Sequence, residues 1–431
     1  MKHLTRKIFA SVLAMLARGV VRKYTPKVVM ITGSVGKTST KDAVGAVLSQ
    51  GFFTRASEKS YNSEFGVPLT ILGAHNPWAS PLAWIQVYME AVALLILPNH
   101  YPKVLVLEVG ADRPGDLAKI LKIATPDVVV VTRLPAMPVH VEAYVTPEAV
   151  REEEFAPAYA LAPGAPLILN ADDEFSQRLA IPLLSSVRTF GLASESNVRI
   201  ESPRIHCNKK LPVGMECELV SGEDSHTVSV RGALGLPQLY APAAAYAVGV
   251  ALGMKPKDIL KGLKEYIPPA GRGRILRGKK NSILIDDSYN ASPAAVEVGL
   301  QTLTLIKTEK ENTRRIAVLG DMLELGRYSS EEHARIGALV PSYAEVLITV
   351  GMRAQAIGNS AKDAGMAEEA IFMCKTANDA RVLLKDFIQD GDAVLIKGSQ
   401  SIRTEKIVEE LLFDHTDSDL LVRQDKEWKR R

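Results

Sequence analysis

The chain is 431 residues long and sets 52 Lys plus Arg against 49 Asp plus Glu, a formal charge of +3. At roughly 100–200 residues per domain this length predicts two to four domains, and 47% hydrophobic residues can fill their cores, which excludes a disordered or fibrous chain. So small a net charge gives no global field for nucleic acid, and no nucleic-acid partner is expected.

The basic residues Lys2, Arg6 and Lys7 ahead of an apolar run at 8–21 superficially suggest a secretory signal. Arg18 interrupts the run. Lys7, Ser11, Arg18 and Arg22 fall on one helical face and Phe9, Leu13, Leu16 and Val20 on another, so an amphipathic surface helix fits better than a span of about 20 residues. A second apolar stretch, 84–97, contains Gln86 and Glu90 and stops at Pro98, again too polar to cross a bilayer comfortably. Both read as helices packed on the fold. A sharper reading has residues 8–21 and 84–97 touching a membrane interface or a membrane-bound partner. The expected location is cytoplasmic, with peripheral contact at the inner membrane face as the variant.

Short β-branched runs follow at 28–32, 104–109, 127–132, 167–170, 283–286, 316–319, 346–350 and 393–397. Continuous runs of this kind read as buried parallel strands. They alternate with helical patterns such as 37–49, 293–306 and 404–413, which predicts α/β sheets covered on both faces. Between 198 and 230 the pattern is short and alternating, as in a small antiparallel insertion. Pro268, Pro269, Ala270 and Gly271 resemble a linker. The predicted organisation is an amphipathic helix at 1–26, a central α/β domain with a mostly parallel sheet at 27–271 and a Rossmann-like α/β domain at 272–431, whose charge-rich end, from Asp414, is expected to fray. Cys207, Cys217 and Cys374 are too few and too irregularly spaced for a disulfide framework or zinc site and point to a reducing compartment. A Cys207–Cys217 pair across a hairpin is the lesser alternative.

The strand at 28–32 runs into Gly33, Ser34, Val35, Gly36, Lys37, Thr38 and Ser39, and a helical pattern follows. Backbone N–H groups of such a loop wrap phosphate oxygens, the helix dipole adds positive potential, Lys37 reaches the outer phosphates and the Thr38 hydroxyl can ligate Mg²⁺. The spacing departs from the standard Walker pattern, with Ile31 five residues before Gly36 and the first glycine at Gly33. Glu108, at the end of a buried strand, suits a second ligand to the ion held by Thr38. Asp286 and Asp287 close another strand, where ligands of open α/β sheets sit.

The shortened loop occurs with NSEFGVP at 62–68, EVGA at 108–111, HVE at 140–142, NADD at 170–173, Gly271 with Arg272, DDSYNASP at 286–293, LGDMLELG at 319–326 with His333, and KGS at 397–399. In this order over roughly 27–413 the motifs resemble the Mur ligase family of ATP-dependent amide ligases. The resemblance implies ATP and Mg²⁺ as cofactors, small-molecule peptide and amino-acid substrates, and transfer of the γ-phosphate to a carboxylate, making an acyl phosphate that an amine attacks. The reaction it most closely implies joins D-alanyl-D-alanine to a muramoyl peptide in peptidoglycan synthesis. A monomer is expected.

By the same resemblance His140 is a ligand of a second Mg²⁺ bridging the γ-phosphate and the substrate carboxylate. Relatives commonly place a carbamylated lysine near that metal. The equivalent position here holds Glu154, with Glu153 beside it, and a carboxylate can stand in for the carbamate on a shorter arm. The plainer alternative is that 152–154 form a solvated helix face. Arg272 would meet phosphate, and Asp287 the ATP ribose. Asn62, Tyr289 and Asn290 fall on the substrate side. Lys397 and Ser399 suit the carboxylate of the incoming amino acid, unless Ser399 only caps a helix beside an exposed Lys397.

The pattern departs from the family in three places. Relatives carry a UDP-gripping domain ahead of the phosphate loop, whereas about thirty residues precede Gly33 here. Pro237 stands where a histidine is usual, leaving Gln238 for the adenine contact. Arg133 replaces an asparagine. The alternatives are an amide ligase with another acceptor, of the folylpolyglutamate synthase kind, against which DDSYNASP and LGDMLELG argue, and an ATP-binding scaffold without catalysis. A switch GTPase is disfavoured because no NKxD-type segment follows the loop.

Overall fold

The structure, a computed structural model, describes residues 2–57, 60–78, 80–183, 185–208, 211–306 and 313–429. The side chains of 2–8, Lys426 and Lys429 lie outside the description, so the basic residues Lys2, Arg6 and Lys7 predicted to open the first helix are not described.

Among the described residues the strands form two sheets. The first contains β1 (Lys27–Thr32), β2 (Thr54–Ala56), β3 (Val104–Glu108), β4 (Val128–Val131), β5 (Pro166–Asn170), β6 (Ser186–Gly191), β7 (Val198–Asn208), β8 (Leu211–Ser221) and β9 (Asp224–Arg231), in the order β2-β3-β1-β4-β5-β6-β7-β8-β9. Strands β2 to β6 and β1 run parallel, and β7 to β9 form the antiparallel insertion expected from the alternating pattern. Within that insertion Cys207 is exposed and Cys217 buried, and both are free thiols.

Successive side chains of a strand point to opposite faces. On β1, Val29 and Ile31 therefore join Ala43, Val44 and Val47 of helix α2 (Lys37–Leu48 in the chain) on one face of the sheet. Val28 and Met30 join the opposite core, shared with helices at Lys2–Tyr24, Gly66–Leu72 and Pro81–Ile96. Those three are α1, α3 and α4. Leu13, Leu16, Ala17 and Val20 are the buried stripe of α1, while Ser11, Arg18 and Arg22 face solvent, which is the amphipathic division read from the sequence; Phe9 departs from it and stands half exposed.

After β9, Ala233 bridges to Arg274 and the Leu234 N–H donates to the Gly273 carbonyl, 2.8 Å, so the chain passes directly into a second sheet. That sheet contains β10 (Arg274–Arg277), β11 (Ile283–Asp287), β12 (Arg315–Gly320), β13 (Val346–Val350), β14 (Ile371–Cys374) and β15 (Ala393–Lys397), in the order β10-β11-β15-β12-β13-β14. Among the described residues only the β10–β11 pair in this sheet is antiparallel.

The expectation of a frayed end beyond Asp414 is corrected by the structure. Asp414 caps a 3₁₀ segment, His415–Leu420, by accepting from the Thr416 N–H at 2.9 Å. Leu421 and Val422 are buried, and the Arg423 guanidinium donates to the Glu405 carboxylate at 2.7 Å and to the Ser288 and Tyr289 carbonyls at 3.1 and 2.6 Å. The charge density of this segment is therefore partly internal pairing, which composition alone does not distinguish from solvation.

Candidate active site

Parallel strands all end at one edge of their sheet, and register decides which ends meet. Ile31 of β1 lies opposite Glu108 of β3, and Thr32 opposite Val131 of β4. The loop that leaves Thr32 therefore turns directly over Glu108. Gly33 opens it at φ 113°, and a Cβ there would come within 2.4 Å of the Thr132 hydroxyl oxygen, so both conformation and space require glycine. Gly36, at φ 91°, starts α2 without a side-chain cap, leaving the first N–H groups of the helix for an anion.

Thr38 donates to a Glu108 oxygen at 3.2 Å, lies 2.8 Å from the Ser60 hydroxyl and receives the Arg272 guanidinium at 3.4 Å. Glu108 is buried, which pushes its carboxyl above the usual carboxylate range against the pull of Lys37, Lys41 and Arg272. Its second oxygen, Oε2, has no hydrogen-bond partner. A buried unpaired carboxylate oxygen beside a threonine hydroxyl suits a divalent cation. The donor set therefore fits Mg²⁺ bound with nucleotide phosphates.

Lys37 folds back onto the Gly33 carbonyl and pairs with Glu154 at 3.5 Å. The other Glu154 oxygen accepts from the Ser34 hydroxyl at 2.7 Å. Asp116–Leu121 forms helix α5 and Pro147–Tyr159 forms helix α6; Glu154 lies on α6, and its side chain is 1% exposed. The solvated helix face offered for 152–154 is thus corrected at Glu154, which faces the phosphate loop. Glu153 also turns inward, accepting from the Gly115 and Leu117 N–H groups.

His140, at φ 63°, sits between two carboxylates, with Glu324 at 3.1 Å and Asp112 at 3.5 Å. Burial raises the Glu324 carboxyl above its ordinary range, partly offset by His140. No hydrogen bond or ion pair joins His140 to Glu154. Among the described residues no group of three or more His, Cys, Asp or Glu is arranged to hold a metal ion. His140 and Glu154 thus meet different partners, His140 the carboxylates of Glu324 and Asp112 and Glu154 the Ser34 hydroxyl and Lys37.

On the second sheet, Asp287 of β11 is in register with Lys397 of β15. The Lys397 ammonium donates to Asp287 at 2.7 Å and to the Asn290 carbonyl at 3.0 Å. It is 3% exposed, so the alternative of an exposed Lys397 is corrected, and its charge is already matched by Asp287. Ser399 accepts from the Leu323 N–H at 2.9 Å rather than capping a helix with its side chain. Neighbouring Asp286 is fully buried, which pushes its carboxyl up to about 6. Tyr289 packs its ring 4.1 Å from the Arg272 guanidinium.

Between the sheets lies a cleft of about 770 Å³ lined by Ser34, Gly36, Lys37, Thr38, Asn62, Glu108, His140, Arg272, Tyr289, Asn290 and Ser399. Val35, Ser39, Gln238, Asp287 and Lys397 line a smaller adjoining cavity of about 80 Å³ that shares Gly36 and Arg272 with the cleft. There the Gln238 amide donates to the Arg272 carbonyl at 2.7 Å and leaves its own oxygen buried without a partner. Glu154 lines neither space and acts behind Lys37. Ser60, Asp112, Glu324, Glu405 and Arg423 also stand at the site, and none of them is among the residues singled out within the motifs. Glu324 lay inside LGDMLELG, a signal that was available; Arg423 carried none.

A glycine phosphate loop at the strand-end edge of one α/β sheet, facing a second α/β sheet across a polar cleft, defines a nucleotide-binding protein built to present a phosphate to a second substrate. Residues 31–233 match the Mur ligase middle domain and residues 271–400 the Mur ligase glutamate ligase domain. The chain belongs to the Mur ligase family. It is 24% identical over 401 residues to the UDP-N-acetylmuramoyl-tripeptide–D-alanyl-D-alanine ligase of Bacillus subtilis, covering 93% of this chain and 79% of that protein. Among solved structures it resembles MurF from Acinetobacter baumannii, with TM-score 0.75 and 23% identity over 93% of this chain and 79% of the other. It also resembles the MurF ligase of Thermotoga maritima in complex with ADP, with TM-score 0.73 and 24% identity over 93% and 83% of the two chains.

Proposed function

We propose that the chain is an ATP-dependent carboxylate–amine ligase that joins D-alanyl-D-alanine to a UDP-muramoyl tripeptide, the reaction named for its relatives. The observation that carries this reading is the Thr38–Glu108 pair with its unpartnered carboxylate oxygen, flanked by Lys37 and touched by the Arg272 guanidinium on the wall of the cleft.

The nucleotide phosphates lie on the N–H groups of Gly33–Ser39, and Lys37 exchanges its contact with Glu154 for the outer phosphates. Thr38 and Glu108 would hold Mg²⁺, which supplies charge neutralisation for phosphoryl transfer when bound. Asp287 and Gln238, in the smaller cavity, serve the ribose and adenine. A carboxylate oxygen of the acceptor peptide attacks the γ-phosphorus and ADP leaves. The amine nitrogen of the second substrate then attacks the acyl carbon, phosphate leaves, and the nitrogen sheds its proton. His140, held by Glu324 and Asp112 on the cleft wall, can receive that proton. Arg272 lies where it balances negative charge during both steps. Asn62, Tyr289, Asn290 and Ser399 line the remaining cleft and contact the substrates.

The test is phosphate release from Mg²⁺-ATP with D-alanyl-D-alanine and UDP-muramoyl tripeptide added singly and together. Release that needs both, with a new amide in the mass spectrum, supports the ligase. Tight ATP binding without stimulation by either substrate overturns this choice of acceptor and favours a non-catalytic scaffold.

A further inference from the structure

Helix α4 carries an apolar stripe that no described residue covers. Leu82, Ile85, Met89, Val92 and Ile96 recur at the three- and four-residue intervals of one helix face, and Leu82, Met89 and Ile96 are 79, 67 and 73% exposed. An open groove of about 590 Å³ runs along it, walled by Ile85, Met89, Val92, Ile96 and Leu97. The stripe continues onto α1. The Tyr88 hydroxyl donates to the Phe9 carbonyl at 2.8 Å, the two rings meet at 5.9 Å, and Phe9 and Met15 are 50 and 64% exposed.

The two helices form one platform. Lys23 of α1 donates to the Leu94 and Leu97 carbonyls at 2.8 and 2.7 Å, closing the carboxyl end of α4, and a Cβ on Gly19 would come within 3.0 Å of Leu95. Charge sets the platform's polarity. Every charged residue of α1 is basic, Lys2, Arg6, Lys7, Arg18, Arg22 and Lys23, with no Asp or Glu among them. Arg18 and Arg22 stand three and seven residues beyond Met15, on the same flank, and both face solvent. Glu90, the acidic residue of α4, is off the stripe and accepts from Gln86 at 2.8 Å.

We propose that the α1–α4 face docks on an anionic lipid surface, with the α4 stripe, Phe9 and Met15 entering the acyl boundary and Arg18 and Arg22 meeting lipid phosphates. Apolar side chains edged by cations are the composition of an interfacial helix. At 16 residues α4 is about 24 Å long, shorter than the roughly 30 Å hydrocarbon core, and no helix among the described residues is long and apolar enough to cross a membrane. The platform therefore lies in the plane of the interface. Basic residues near an anionic leaflet each add to this attraction, and salt screens them. The inference does not rest on the ligase reading.

The experiment is co-sedimentation of the full chain with vesicles of phosphatidylcholine alone and of phosphatidylcholine with phosphatidylglycerol, using wild type, Ile85→Glu/Met89→Glu and Arg18→Glu/Arg22→Glu. Thermal melts and soluble-substrate phosphate release, both expected to be unchanged, show that the variants fold. The proposal expects binding at least tenfold tighter to the phosphatidylglycerol vesicles and weakened by salt. The apolar pair should lose binding to both vesicles, and the basic pair should lose at least tenfold on the anionic ones. No sedimentation with either vesicle overturns it, as does binding undiminished in both variants. A soluble dimer that Ile85→Glu/Met89→Glu dissolves, without vesicle binding, overturns it in favour of a second copy of the chain.

Discussion

Two strand-end corners face each other across the cleft, and they are assembled by different means. At the first, the phosphate loop is a run of seven consecutive residues, and a single long-range element, Glu108, is brought beneath it by the register of β1 with β3. At the second, Asp287, Lys397, Glu405 and Arg423 come from four separate segments; Lys397 meets Asp287 across 110 positions, and Arg423 meets Glu405 across 18 and the Ser288 carbonyl across 135. The first corner leaves an acceptor unsatisfied, on Glu108, with three cations, Lys37, Lys41 and Arg272, acting on it. The second pairs its charges internally, Lys397 with Asp287 and Arg423 with Glu405. One corner holds an unpartnered carboxylate oxygen among cations; the other is a scaffold whose cations are matched internally, with Asp287 still on the wall of the smaller cavity.

The sharpest way to break this contrast is at the first corner. Glu108→Gln keeps the shape and removes the negative charge, and Lys37→Ala removes the cation. Losing one preorganised electrostatic partner typically costs about 10²–10³-fold in turnover. Each variant is expected to lose at least that much phosphate release while its melting temperature stays within a few degrees. A collapse in stability with turnover retained would reverse the roles assigned to the two corners.

At the second corner the largest response should appear in stability. Lys397→Met leaves the Asp287 carboxylate with little compensation, and breaking a buried ion pair costs about 3–5 kcal/mol. Because Asp287 retains some solvent contact, at 18% side-chain exposure, the low end is expected. Denaturant unfolding of Lys397→Met, Asp287→Asn and the double variant should show the double variant recovering most of that loss. Additive losses would mean that the two residues act independently.

The same contrast governs what could be read in advance. The loop Gly33–Ser39 was legible because its chemistry is contiguous: glycines, lysine and threonine sit at fixed offsets between a strand and a helix. The parallel strands and the antiparallel insertion were legible from hydrophobic runs and alternation. The pairing of Lys397 with Asp287 was not, because it depends on which strands lie side by side, and the order β11-β15-β12 is not written in either segment. Sequence offers two readings of Glu154, a stand-in for a carbamylated lysine and one of three acidic residues on a solvated face. Helix rotation separates the acidic residues, turning Glu154 toward Ser34 and Lys37 and Glu153 toward the Gly115 and Leu117 N–H groups. Arg423 is illegible for the opposite reason: composition predicts solvent for a charge-rich end, and only a tertiary partner such as Glu405 reverses that.

Arg423 therefore offers a direct measure of how far the scaffold reaches. Its side chain is 4% exposed and holds both the Glu405 carboxylate and the Tyr289 carbonyl, behind the ring that packs on Arg272. Hydrogen bonds to charged groups contribute about 1.5–3 kcal/mol. Arg423→Ala is expected to cost about 2 kcal/mol by denaturant unfolding and to raise the KM of the substrates more than it lowers kcat, since Tyr289 would be displaced rather than removed. A frayed end would give a change within about 0.5 kcal/mol, as for ordinary surface substitutions.

The smallest effect should come from His333, which braces the loop carrying Leu323 and Glu324. Its ring is fully buried; one nitrogen lies 2.6 Å from the Ser329 carbonyl and the other accepts from the Met322 N–H at 2.9 Å. These partners require the neutral ring, protonated on the Ser329 side. A second proton would set N–H against N–H. Burial accordingly holds its pKa below the ordinary 6.5 of histidine. In the unfolded chain the ring takes up a proton as pH falls through 6.5, while in the folded chain it resists, so the unfolded state binds more protons and stability falls. Above 6.5 both states are neutral and this contribution to the pH slope vanishes. His333→Gln can still accept from Met322 but does not titrate. Unfolding free energies measured from pH 5 to 8 should show wild type losing more stability than His333→Gln below 6.5 and running parallel to it above; equal slopes throughout would mean that the ring titrates alike in the folded and unfolded chain.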